Sequence, residues 1–172
     1  MAKMWADWLG DRLSATRTIP REIVEDEFRL IIDVFQTMVG PLRRETRTIW
    51  KKVTEEYGRR AALRGLAAGE VVEEMQYLRE LLIRHLAPAI AALRPRQGMA
   101  LLLRLNRLVD HGVARAVVGY TDALIQTMLP SEDTGPSPAL ADASATRERF
   151  KNIRIELAQI IAAPGNNVAP LL

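Results

Sequence analysis

Apolar side chains recur about once per helical turn along almost the whole chain, and strict two-residue alternation is nearly absent. This pattern predicts six helices. The first spans 2–15, with Trp5, Trp8, Leu9 and Leu13 on one face. A second runs over 20–39, opened by Pro20, whose fixed φ suits a first helical turn, and burying Phe28, Ile31, Ile32 and Phe35. Gly40-Pro41 ends it, and a third follows over 42–63 with Ile49, Val53 and Tyr57 inward. Gly65 and Gly69 bracket a short connection to the fourth, 70–93, whose stripe is Val71, Met75, Leu78, Leu82, Leu86 and Ile90. Pro88 falls inside that run, so a kink or break is expected near it. A turn at 94–98 precedes the fifth and longest helix, 99–129.

That fifth helix has two usable faces. One carries Leu102, Val109, Val113, Val117, Tyr120 and Leu124 and is expected to face the core. The other carries Gly112, Ala116, Gly119 and Ala123, a run of small residues that lets another helix approach closely. Ser, Asp, Gly and Pro then dominate 130–138, which reads as a linker. A last amphipathic segment, 139–163, carries Leu140, Phe150, Ile153, Leu157, Ile160 and Ile161, and a tail follows to residue 172. The expected architecture is therefore an all-α domain of five core helices over 1–129, a linker over 130–138, and a C-terminal connector helix with its tail over 139–172.

Composition narrows the chemistry. The 172 residues include no cysteine, which excludes disulfides, thiol nucleophiles and thiolate zinc sites. Twenty-four basic against 21 acidic groups leave a charge of +3, too little to announce nucleic-acid binding. The first residues become charged before a signal-peptide core could form, and the apolar run 99–103 is far below the roughly 20 residues that span a bilayer, so a cytoplasmic protein is expected.

Catalytic and metal-binding patterns fail on spacing. Leu82 and Leu108, not glutamates, lie three residues before His85 and His111, so the helical di-metal pattern is missing. His85, at the edge of an apolar stripe, is the one candidate axial ligand for a haem, although three phenylalanines are few for a haem pocket. His111 is expected to be solvated. Glu70, Glu73 and Glu74 cluster at a helix start, where negative charge complements the dipole. The stretch 43–64 carries Arg43, Arg44, Arg47, Lys51, Lys52, Arg59, Arg60 and Arg64 against Glu45, Glu55 and Glu56, a net +5. It reads as a solvated face, or as an adaptor surface for an acidic partner. No cofactor, metal or enzymatic activity is expected.

The run Tyr57-Gly58-Arg59-Arg60-Ala61-Ala62-Leu63-Arg64-Gly65-Leu66-Ala67, followed by Glu70 through Leu82, resembles the N-terminal sensor domain of RsbR-type stressosome proteins, a domain also found ahead of some bacterial histidine kinases. That family has an Arg-Ala…Gly linker and then a helix with Glu-Tyr-x-x-Leu-Arg. Gly65, Glu74, Leu78 and Arg79 match it, with Met75 in place of the usual Tyr and Ala67 in place of a common capping Ser. The stretches 19–26 and 102–120 add to the resemblance, which covers about 5–129. It implies a globin-like fold without haem, a homodimer, and a signal passed to an output module, either a STAS domain or a kinase. The segment 139–163 would then be the connector; Glu156 stands where a kinase's phosphoacceptor His would fall. On this reading Gly112, Ala116, Gly119 and Ala123, with Trp5 and Trp8, form the dimer surface, and Glu74 and Arg79 hold the fold.

Overall fold

The computed structural model describes residues 21–128 and 138–163, and among these every regular element is helical. The elements are α1 (Arg21–Val39), a 3₁₀ turn (Pro41–Arg43), α2 (Arg47–Arg64), α3 (Ala68–Ala91), α4 (Pro95–Met128) and α5 (Pro138–Ala162). The all-α expectation is met. The expected helix 2–15, with Trp5 and Trp8, most of the linker 130–138, and the tail lie outside the described residues.

Local chemistry sets the helix ends. The chain leaves α2 through Gly65 at φ +84°, a left-handed conformation that glycine adopts without a Cβ clash. There the N–H groups of Gly65 and Leu66 donate to the carbonyls of Ala62 and Ala61, closing the free end of α2. At the start of α3 the Glu70 carboxylate reaches back to the Ala67 N–H at 2.7 Å, while Ala67 offers no side-chain acceptor in return. Half of a reciprocal cap is therefore missing.

Three boundaries differ from the sequence reading; the helix expected from residue 42 opens as the 3₁₀ turn Pro41–Arg43 and becomes α-helical only at Arg47. Residues 95–98, expected as a turn, form the first turn of α4. Pro95 needs no N–H partner there, and Gln97 and Gly98 donate to the Arg94 carbonyl. Pro88 does not interrupt α3, which runs on to Ala91 and stops one turn beyond it. A proline so near a C-terminus forfeits a single internal hydrogen bond, and the remaining residues close on the Pro88 carbonyl through the Ala92 N–H.

The core joins Phe28, Ile31 and Phe35 of α1, Ile49, Trp50, Val53 and Tyr57 of α2, Met75 and Leu78 of α3, and Leu105 and Val109 of α4. Trp50 is fully buried; its Nε1 donates to the Leu108 carbonyl at 3.2 Å and its ring meets Phe35 edge-on at 6.0 Å. Helices α2 and α4 pack most extensively. Trp50 reaches Leu108, Arg115 reaches Glu55 and Arg59 reaches Gln126, so the two helices run parallel.

That pairing decides which face of α4 turns inward. Gly112, Ala116, Gly119 and Ala123 are buried; of the face expected to meet the core, Val109 and Tyr120 are buried beside them, whereas Leu102, Val113, Val117 and Leu124 are only half-buried. The small-residue face, expected to meet a second copy, is covered by α2 of the same chain. A Cβ added at Gly58 would lie 1.7 Å from the Ala116 oxygen, and one at Gly119 would lie 1.9 Å from the Glu55 oxygen. Backbone touches backbone at these points. The dimer assignment of these four residues is therefore corrected: they are occupied inside the protomer.

Candidate functional site

The inward stripe of α2 begins Ile49, Val53, Tyr57, and its next positions are Arg60, Ala61 and Arg64. Both arginines are almost fully enclosed, with 6% and 4% of their surface exposed. A charged group loses its hydration on burial and persists only when paired. Glu27 of α1 supplies one partner, 2.8 Å from the Arg60 guanidinium. Glu74 of α3 supplies the other, 3.0 Å from Arg64, and also accepts a hydrogen bond from the Tyr57 hydroxyl. The Arg64 guanidinium lies over the Tyr57 ring at 5.6 Å.

A third acid, Glu56, is also buried. It accepts from Arg149 of α5 at 3.0 Å and lies near Arg59 on its own helix. Phe150 places its ring 5.1 Å from the Arg60 guanidinium. One charged core thus ties α1, α2, α3 and α5 together.

Protonation follows from this burial. Desolvation raises the Glu27 carboxyl above its ordinary range, although Arg60 and Arg64 pull it down. Neither Glu27 oxygen accepts a well-aligned hydrogen bond among the described residues, so charge alone holds it. Desolvation and the Glu74 carboxylate push the Tyr57 hydroxyl well above the usual phenol value. Burial would lower Arg64, but Glu74, Tyr57 and Glu27 outweigh it and fix the guanidinium as a cation.

Several expectations change against this geometry. Arg60 and Arg64 leave the expected solvated face, and Lys52 is held by Glu156 at 2.7 Å. Arg43, Arg44, Arg47 and Lys52 remain exposed and Lys51 and Arg59 half-buried, so the surface proposed for an acidic partner loses Arg60 and Arg64. Glu74 does not serve the helix dipole, because it is turned inward onto Tyr57 and Arg64; Glu70 caps α3 and Glu73 is exposed. Leu78 is buried in the core, and Arg79 pairs with Asp110 across α3 and α4. His85, the haem candidate, is exposed on α3, whereas an axial ligand sits inside an apolar pocket. His111 is half-buried.

Glu27, Glu56 and Tyr57 were missed as members of one cluster. A signal was present: continuing the α2 stripe by steps of three and four lands on Arg60 and Arg64. Charges at core positions require buried partners, and nothing local says which helix carries them.

The described helices include none long and apolar enough to cross a membrane. Residues 1–147 match the model of one family, described as the RsbT co-antagonist protein RsbRD N-terminal domain. Neither the curated proteins nor the solved structures contain a match to this chain. The match covers well over half of the chain, which belongs to that family.

Proposed function

We propose that this member of the RsbRD N-terminal domain family is a non-catalytic sensory and dimerisation module. It would pass a stress signal to an output protein or domain by repacking its helices. The observation that carries the reading is where the family-like residues lie. Tyr57, Arg60, Arg64 and Glu74 come from two stretches of sequence and form one buried charged core linking four helices. Buried ion pairs add little net stability but penalise wrong arrangements heavily, as a domain with two defined packings requires.

A homodimer needs a free face, and the outer ridge of α4 supplies one. Ala114, Val118, Thr121, Ile125 and Met128 are exposed and alternate by four and three, the spacing at which two parallel helices pair. A second copy seated there would bring two α4 C-termini side by side, where the chain leads on to α5. Trp5 and Trp8 are carried forward as additional contacts.

Native mass spectrometry and light scattering test this reading on the full chain. Wild type should be a dimer, and Val118→Glu with Ile125→Glu should yield a monomer with an unchanged far-UV circular dichroism spectrum. A monomeric wild type, or a dimer indifferent to both glutamates, would refute the pairing. The same measurement on Trp5→Ala and Trp8→Ala reads their contribution.

A further inference from the structure

The family match ends at residue 147, and the docked part of α5 lies beyond it. Phe150, Ile153 and Leu157 are buried at spacings of three and four, while Lys151, Asn152, Arg154 and Ile155 between them are exposed. Their seat is on α1 and α2. Around these three anchors run polar contacts: Arg149 to Glu56, Lys52 to Glu156, and Arg154 to the Asp26 carbonyl at 3.3 Å. The cations of these contacts are nearly half exposed, so salt screens them. The close backbone contacts of α2 with α4 at Gly58 and Gly119 are made without α5.

We propose that α5 is a releasable strap. Docked, it seals the Glu27–Arg60 pair beneath Phe150; detached, it leaves α1–α4 folded with Glu56, Arg60 and Glu27 open to water. The groups facing Glu27 explain why release is balanced. Arg60, Arg64 and Glu56 approach from α2 and Glu74 from α3, while α5 brings Arg149 onto Glu56. Among these groups three acids face two buried arginines; Glu56 has the partly exposed Arg59 of its own helix at 3.6 Å, and Arg149 adds a closer cation at 3.0 Å only while α5 is docked. Docking thus gains a cation for Glu56 and three apolar anchors, and it removes water from Glu27 and Arg60. The strap requires neither the dimer nor a particular signal.

Hydrogen exchange read by mass spectrometry on the full chain tests it, at low and at high salt, with Phe150→Ala as the variant. Amides of 150–157 should exchange at least about tenfold faster than those of 53–61 in α2, as expected for a segment that opens on its own. High salt and Phe150→Ala should each quicken 150–157 further, by several-fold, and leave 53–61 protected. Equal rates for the two segments, indifference of 150–157 to salt, or joint loss of protection in Phe150→Ala would overturn the strap. A failed dimer test would leave these rates unaffected, so the two proposals fail separately.

Discussion

Replacing Gly119 by alanine places a methyl group where another helix's backbone already lies. The added Cβ would sit 1.9 Å from the Glu55 oxygen and 2.7 Å from its carbonyl carbon. Non-bonded contacts of this kind settle near about 3.5 Å, so α2 and α4 must part by roughly 1.5 Å. A backbone carbonyl inside a helix cannot swing aside as a side chain would. Overpacking of a tight core costs about 1–3 kcal/mol, and a backbone clash belongs at the upper end. Parting the helices also stretches the bonds from Trp50 to Leu108 and from Tyr120 to Leu66, at about 1 kcal/mol each. Alanine's better helix propensity returns about 1 kcal/mol. The net loss is about 3–4 kcal/mol, which lowers Tm by on the order of 10 °C for a chain of this length. Urea unfolding followed by circular dichroism, at two protein concentrations tenfold apart, measures it. Gly69→Ala is the control, because nothing lies within 4 Å of its added Cβ. A Gly119→Ala variant within 1 kcal/mol of wild type would refute the packing argument. So would a loss that fades at high concentration while the dimer weakens, since that pattern belongs to a face between copies.

Other outcomes follow from the same contacts. Ala67→Ser should complete the reciprocal cap of α3 and add about 1 kcal/mol, read as a higher urea midpoint at unchanged slope. Glu74→Ala should cost about 3–5 kcal/mol, because Arg64 loses its buried partner and the Tyr57 hydroxyl its acceptor; a loss below 1 kcal/mol in the same titration would contradict the pairing. The folded state holds the protons of Glu27 and Tyr57 more tightly than the unfolded chain does. Their contribution to stability therefore falls as pH rises above the ordinary carboxylate value of 4.5, and falls again above 10.0. Thermal melts of Tyr57→Phe across pH 5 to 11 should lack the second decline and keep the first.

The helices and most of their ends could be read from residues alone because both depend on local physics. One apolar side chain per turn specifies a helix whatever lies opposite, and Gly65 and Glu70 terminate or cap through atoms within a few residues. The motif from Tyr57 through Arg79 was equally visible, and it indicated the family that the match over residues 1–147 supports. Two of the three boundary differences, at Pro88 and at Pro95, are also local: each proline sits within a turn of a helix end, where its missing N–H matters least.

What required the tertiary structure was the choice between faces. Counting apolar area favours the face of Leu102, Val109, Val113, Val117, Tyr120 and Leu124 as the inner side of α4, yet only Val109 and Tyr120 of it are buried, and Gly112, Ala116, Gly119 and Ala123 are buried beside them. Small residues bury little area of their own but let two backbones touch, and that gain exists only once α2 lies alongside. The charged core shows the same dependence. Arg60 and Arg64 are inside because Glu27 and Glu74, carried on two other helices, meet them there and replace the water that burial removes.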